Sequence, residues 1–369
     1  MKHPIIIIGA GVSGLWAASL LTQQGIACRL LEARNRIGGR VLSISDANRP
    51  DLGRFDLGPT WFWPQYEQKI SSLVKELNVA TFDQYTEGAL LAEHSLNEAP
   101  KRYTLPENGN AMSVRIRGGV QTLIEAISDT IPPEIIELGT TVSAIRQYSA
   151  SELSIQTLLA DGTSKEFMTS AIILALPPRM VARHIEFSPP LPPNLLADLA
   201  SKPTWMASHA KVVAVYERPF WREVGLSGNA TSWVGPLQEI HDASPETGSG
   251  ALFGFFGWPA IQRQELGQEE LLKLVTGQLV RFFGPEAHKM KAMLYKDWST
   301  DTKTAVKEDL DRLHDFPQYG YPPDTGIWGK NLIFAGTETD PQFGGHLEGA
   351  LQAAEKAVAK LMNLTDQLK

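Results

Sequence analysis

The first forty residues constrain the fold more than any other stretch. Ile5-Ile6-Ile7-Ile8 puts four β-branched residues in a row, the pattern of a strand buried on both faces of a parallel sheet. It runs straight into Gly9-Ala10-Gly11-Val12-Ser13-Gly14, a G-x-G-x-x-G turn. Leu15 to Gln24 then reads as a helix closed by Gly25 at the C′ position, and Ile26 to Leu31 as a second apolar strand. Glu32 stands at the end of that strand, 18 residues after the third glycine. Strand, glycine turn, helix, strand and acid in this order form a dinucleotide-binding fingerprint in the context it needs. Gly9 allows the tight turn, Gly11 lets the backbone approach a pyrophosphate, and Gly14 permits close packing of helix on strand. The phosphates are expected at the positive end of the helix and the ribose hydroxyls on Glu32. A carboxylate there repels a 2′-phosphate, which makes NADP the least suited dinucleotide.

Bulk properties narrow the class further. A chain of 369 residues can bury a large core, and its length suggests about two domains. Hydrophobic content of 43% with 20% charged residues is ordinary for a soluble globular protein. A net charge of −7 leaves no electrostatic footprint for nucleic acid or an anionic membrane. The single cysteine, Cys28, rules out an intramolecular disulfide and a cysteine-rich zinc site, and its mid-strand position reads as core. No metal site is expected. No apolar run approaches the ~18 residues needed to span a bilayer. The apolar segment before the glycines is too short for a signal peptide. A cytoplasmic protein without a membrane anchor is expected.

Further along, Arg36 to Arg40 adds two glycines and two arginines beyond the second strand. Phe55 to Trp63 turns through Gly58-Pro59 into Thr60 and the aromatics Trp61, Phe62 and Trp63. Gln68 to Leu77 has helical spacing, while residues 80 to 117 read as short strands and loops of a smaller inserted region. Val120 to Ile131 is a predicted helix stopped by Pro132-Pro133. Thr141 to Gln147 and Ser154 to Leu159 alternate as strands, and Asp161-Gly162 makes a hairpin turn into Ser164 to Met168. Ala171 to Leu176 reads as a buried strand ending in Pro177-Pro178, and Ser188 to Pro193 as a crossover. Lys211 to Tyr216 and Asn331 to Gly336 are further strands, Leu252 to Trp258 is aromatic and glycine-rich, and Glu269 to Phe283 and Leu347 to Met362 are helices. Lys211 is out of pattern at the start of an apolar strand, where burying a charge is costly; a position at the strand's wet end, with its charge in solvent, is the alternative.

Separated segments, in one order from end to end, resemble the flavin-dependent amine oxidases, the monoamine and polyamine oxidases. They are Ile7 to Gly14, Leu31 to Arg40, Asp56 to Gly58, Thr141-Val142, Ala175 to Pro178, Lys211 to Trp221 and Phe334 to Ala350. The most specific piece is Ala335-Gly336-Thr337-Glu338-Thr339 with Gly344-Gly345-His346-Leu347-Glu348-Gly349-Ala350. Residues 67 to 117 match poorly. The resemblance implies FAD. It would place Gly9, Gly11, Ser13 and Gly14 on the pyrophosphate, Glu32 on the adenosine ribose, and Gly39 and Arg40 near the phosphates. It would set Val142 by the adenine, Gly58, Pro59, Thr60 and Trp61 along the flavin ring, Trp298 near it, and Gly336 and Glu338 at the ribityl chain. His346 and Leu347 open the last helix, whose positive end would face the flavin and favour its anionic reduced form. Lys211 matches the family lysine that contacts flavin N5 through a water, and is the catalytic candidate; Trp61 and His346 are the substrate candidates.

Two departures from the family stand out. Residues 299 to 330 hold no cysteine to attach the cofactor, so non-covalent FAD is expected. The two tyrosines that face the substrate in monoamine oxidases are missing, with His346 at the later position and charged residues near Lys307 or Glu308 at the earlier. Trp61, Trp63, Phe343 or Trp258 would supply another apolar wall. The expected fold is α/β: a discontinuous Rossmann-like FAD-binding domain (1–66, 118–200 and 302–369) with an inserted α+β substrate domain (67–117 and 201–301). The expected activity is oxidation of an amine C–N bond by hydride transfer to flavin N5, with oxygen as electron acceptor. The alternatives are a desaturase or oxidase of a non-amine apolar substrate, a flavoprotein without amine turnover, and a nicotinamide dehydrogenase.

Overall fold

In the computed structural model, residues 3–104, 112–149, 152–311, 313, 315–323 and 325–366 are described. Ile5–Ile8 is the middle strand of a five-stranded sheet in the order Ile136–Glu137, Cys28–Leu31, Ile5–Ile8, Ile172–Leu174, Leu332–Phe334. All four pairings are parallel. The four isoleucines do not alternate with polar residues because both sheet faces are covered. Ile5 and Ile7 pack with Leu15, Leu123 and Leu351 on one side, while Ile6 and Ile8 pack with Ile145, Ile155 and Leu195 on the other. The chain leaves the first strand at Gly9 and forms the helix Val12–Gln23. Its neighbours Cys28–Leu31 and Ile172–Leu174 lie on opposite sides of Ile5–Ile8, so a crevice opens at the carboxyl ends of the strands.

Two further sheets flank this layer. Ser164–Thr169, Glu152–Leu159, Thr140–Ser149 and Glu186–Ser188 form a four-stranded sheet, with the expected hairpin at Asp161-Gly162. A seven-stranded sheet runs Ala292–Asp297, Ala210–Tyr216, Gly250–Phe256, Leu237–Asp242, Leu226–Ser232, Ala89–Glu93, Lys101–Tyr103. The helix Gln268–Phe283 packs its apolar stripe on that sheet through Leu271, Val275 and Leu279.

The structure differs from the sequence reading in the connections. Within 80–117, Ala89–Glu93 and Lys101–Tyr103 complete the large sheet, and Thr81–Asp83 and Val114–Ile116 join Trp61–Phe62 in a three-stranded one. Residues 105–111 of that stretch lie outside the described ones. Pro177-Pro178 does not simply stop a strand. Pro178 opens the helix Pro178–His184, because a missing N–H and a preset φ suit a first helical turn. The expected crossover at 188–193 instead links the edge strand Glu186–Ser188 to a second proline-initiated helix, Pro193–Ser201.

Candidate active site

The crevice at the strand ends is one wall of a cavity of about 380 Å³. Gly9 sits there at φ +100, and a Cβ on it would stand 2.6 Å from the Ala175 carbonyl oxygen. A Cβ on Gly14 would stand 1.8 Å from the Gly9 carbonyl, so Gly14 serves helix–strand packing and does not line the cavity. Gly11 is different. It lines the cavity, and a Cβ there would meet no protein atom within 4 Å. Gly11 is also the N-cap of Val12–Gln23 and offers no side-chain cap, which leaves the first N–H groups of the helix for a ligand anion. Ser13 lines the same wall and donates its Oγ–H to the Ala335 carbonyl.

Carboxylates and arginines mark the far end. Glu32 is buried, with Oε2 accepting the Ala10 N–H at 2.8 Å and Oε1 the Arg34 N–H at 2.9 Å. Arg34, missed by the sequence reading, is held on the cavity wall by Asp301 and Thr304. Arg40 pairs with Glu338 at 2.7 Å. Glu338 is fully buried behind the cavity, and neither of its carboxylate oxygens receives a hydrogen bond from the described residues. Gly39 and Gly336 lie on the wall. Val142 does not; its side chain is in the core between the small and the parallel sheets.

The opposite end is aromatic and holds Lys211. The strand Ala210–Tyr216 is buried along its whole length, so Lys211 is not at a wet strand end. Its Nζ donates to the Gly58 carbonyl at 3.0 Å and to the Thr60 hydroxyl, and stands 4.0 Å from the centre of the Phe253 ring. Burial pushes this amine down to about 7, with Asp56 opposing the shift and Arg115 adding to it. Asp56 is itself pushed up by burial. Phe253 and Phe255 reach the same wall because Lys211 pairs with Phe255 across the antiparallel strands, so residues of period two share its face. Gly58, Pro59, Thr60, Trp61, Trp63, Trp298, His346 and Leu347 complete this end. Trp298 is fixed by its indole N–H on the Leu57 carbonyl at 2.9 Å.

Of the proposed apolar walls, Trp61 and Trp63 line the cavity, whereas Phe343 and Trp258 do not. Trp258 packs on the core beneath the large sheet, and its carbonyl accepts Arg263. Lys307 and Glu308 are likewise absent from the wall; Glu308 pairs outward with Arg183. Trp205 lines the cavity instead, with Phe316 4.6 Å behind it. Met206 beside it adopts φ 62, an uncommon backbone state for a residue with a side chain. Glu67 is a further wall residue that the sequence did not mark.

Residues 92–362 match the family model described as flavin containing amine oxidoreductase. The chain belongs to that family. Residues 7–77 match an NAD(P)-binding Rossmann-like domain. The chain is 23% identical to a probable flavin-containing monoamine oxidase A of Dictyostelium discoideum, covering 95% of each. It is 24% identical to putrescine oxidase of Kocuria rosea, covering 98% of this chain and 95% of that one. Among solved structures, cyclohexylamine oxidase from Brevibacterium oxydans superposes with a TM-score of 0.80 at 20% identity over the full length of both. Putrescine oxidase bound to putrescine gives 0.79 at 21%, covering 98% of this chain and 99% of that one. The protein is an FAD-dependent oxidoreductase of the flavin-containing amine oxidase family. The uncapped helix end at Gly11, the cradle that a Cβ there would fill, and the buried Glu338 carboxylate, paired with Arg40 but given no hydrogen bond by the described residues, all fit FAD. Cys28 lies in the core away from the cavity, and the cofactor is held without a cysteinyl bond. Among the described residues no helix is long and apolar enough to cross a membrane, and no group of side chains could hold a metal ion.

Proposed function

We propose that this protein oxidises the C–N bond of a small amine in the aromatic end of the cavity, with oxygen as the final electron acceptor. The observation that carries the reading is Lys211, a buried amine joined to Gly58 and Thr60 and walled by Phe253, Phe255 and Trp61. When bound, FAD supplies a two-electron acceptor that takes a hydride equivalent at N5 from the carbon next to nitrogen. The chain's own residues do the rest. Gly9, Gly11, Ser13, Gly39 and Arg40 hold the diphosphate, Glu32 the adenosine ribose, and Glu338 the ribityl region. Val142 shapes the adenine side from the core. Gly58, Pro59, Thr60, Trp298, Gly336 and Leu347 hold the ring. Trp61 and His346 confine the substrate, and the dry wall disfavours a charged ammonium. Lys211 assists reoxidation through electrostatics. Residues 1–66, 118–200 and 302–369 form the cofactor-holding part, and 67–117 with 201–301 the substrate part.

The test is an absorption spectrum followed by anaerobic mixing with primary amines, polyamines and amino acids. A yellow protein that releases free FAD on acid precipitation, is bleached by one amine class and recovers colour in air supports the proposal and names the substrate class. Yellow protein that none of them bleaches points to a non-amine substrate or to a flavoprotein without amine turnover.

A further inference from the structure

Glu67 occupies the N-cap of the helix Gln68–Glu76 yet does not cap it. That task falls to Glu348 of the last helix, whose carboxylate accepts the Lys69 and Ile70 N–H groups at 3.1 and 3.0 Å. Glu67 is thereby released to turn toward the cavity. Its Oε2 accepts the Trp63 N–H at 2.8 Å, and its Oε1 lies 3.1 Å from His346 Nδ1. The carboxylate is buried, at the positive end of its helix, and both Glu67 and His346 belong to the cavity wall.

The ring of His346 is held from several sides. Its backbone carbonyl accepts the Ala350 N–H at 3.1 Å and the Thr337 hydroxyl at 3.0 Å, so the residue is pinned at the start of the last helix. Trp63 and Phe316 stand on its flanks, each with its ring centre 6.2 Å away. These neighbours are uncharged. Glu348, next but one along the chain, is committed to the amides of Lys69 and Ile70. Lys69 itself pairs with Glu355. Lys211, on the cavity's other wall, is committed as a donor to Gly58 and Thr60. Among the described residues, Glu67 is the charged group that touches the imidazole.

A carboxylate only accepts hydrogen bonds, so Nδ1 must carry the proton, and Nε2 of the neutral ring keeps its lone pair. None of the described residues hydrogen-bonds Nε2. We propose that His346 is the proton acceptor for the incoming substrate ammonium, with Glu67 as its positioning residue. This inference rests on amine oxidation as the reaction. In the step, one N–H bond of R–CH2–NH3+ breaks and an Nε2–H bond forms, giving the neutral amine and an imidazolium. Nothing is oxidised or reduced, and the total charge is unchanged. The positive charge moves from the substrate to a ring whose Nδ1–H already faces the Glu67 carboxylate. The pocket can therefore admit the abundant protonated amine and still present a neutral one for oxidation.

The test uses the FAD-loaded full chain with cyclohexylamine, benzylamine and putrescine as probes. The limiting rate of anaerobic flavin bleaching is followed across neutral and alkaline pH for wild type, H346Q and E67Q. H346Q is expected to keep its FAD spectrum and to bleach about 10²-fold more slowly at neutral pH. Its rate should recover as the pH rises toward the ionisation of the free amine. E67Q should behave alike for a different reason: a carboxamide N–H facing Nδ1 inverts the tautomer and puts the proton on Nε2. Histidine-selective 15N spectra of the substrate-free holoprotein read that directly, with an unprotonated Nε2 in wild type and a protonated one in E67Q, whether or not H346Q folds. An Nε2 already protonated in wild type overturns the dyad, as does a pH profile shared by wild type and both variants while bleaching persists. If no probe bleaches wild-type flavin, amine oxidation itself falls and the proton step falls with it.

Discussion

Arg40 and Glu338 meet at 2.7 Å, and among the described residues this is the only ion pair made by a carboxylate that is otherwise fully enclosed. The two residues lie almost 300 positions apart, one just after the second strand of the parallel sheet and the other just after its last. Replacing Arg40 by Met leaves the carboxylate buried and unpaired. The expected cost is about 3–5 kcal/mol, read as a lower denaturation midpoint of the apoprotein. E338Q, which removes the charge with the shape kept, should cost less. Equal stability of wild type and R40M in urea titrations would show that the pair does not hold this wall together.

Gly11 and Gly14 separate cofactor binding from folding. G11A adds a methyl group where no protein atom lies within 4 Å, so the apoprotein should fold with an unchanged circular dichroism spectrum and bind FAD poorly. G14A drives a methyl group to 1.8 Å from the Gly9 carbonyl and should fail to accumulate as folded protein. A folded G14A with a full flavin spectrum would contradict the packing role.

Lys211 carries a pH dependence of known sign. Folding depresses its ionisation from near the ordinary lysine range to about 7. The unfolded chain therefore binds the extra proton between those two values. Lys211 costs stability in full below about 7, and the cost fades as pH rises toward the unfolded value. K211M should raise the melting temperature of the apoprotein at neutral pH, and the gap should close in alkali. In the holoenzyme the protonated amine favours negative charge developing on oxygen. Flavin reoxidation by air should accordingly slow as pH rises through about 7 in wild type, and K211M should show the slow rate throughout. A reoxidation rate in K211M equal to wild type at low pH removes Lys211 from this step.

Arg263 and Asp297 form a buried bidentate pair, with contacts of 2.9 Å, beneath the aromatic wall. Asp297 also accepts the Ser299 N–H and so shapes the turn that presents Trp298. R263A leaves Asp297 buried and should destabilise by about 3–5 kcal/mol. The same change should loosen Trp298, seen as altered flavin fluorescence in the holoprotein. An unchanged emission spectrum and melting curve would show that this buried pair supports neither the fold nor the position of Trp298.

The nucleotide-binding half was legible because its signals are local. Ile5 to Ile8, the glycine turn and Glu32 are neighbours in sequence and in space, and each has a backbone or charge reason to be there. The remaining site is assembled by tertiary contact. Phe253 and Phe255 sit in a visibly aromatic run, but only the register that pairs Lys211 with Phe255 turns them toward the cavity. Glu67 looks like an exposed helix cap until Glu348, from the far end of the chain, takes over the capping. Trp205 and Met206 sit in a turn whose left-handed residue is Met206 and not a glycine, so no sequence rule marks the turn. Trp258 and Phe343 failed as wall candidates for the converse reason: aromatic character alone does not say which side of a sheet or loop a ring will take.

The strand Leu332–Phe334 closes one edge of the sheet whose middle strand is Ile5–Ile8, and Ser13 hydrogen-bonds Ala335 across 322 positions of chain. A growing polypeptide therefore carries the glycine turn with one side of the crevice missing while the 322 positions from Ser13 to Ala335 are added. The crevice acquires that side only after residues beyond 332 have emerged, so a shorter nascent chain cannot yet present the complete wall.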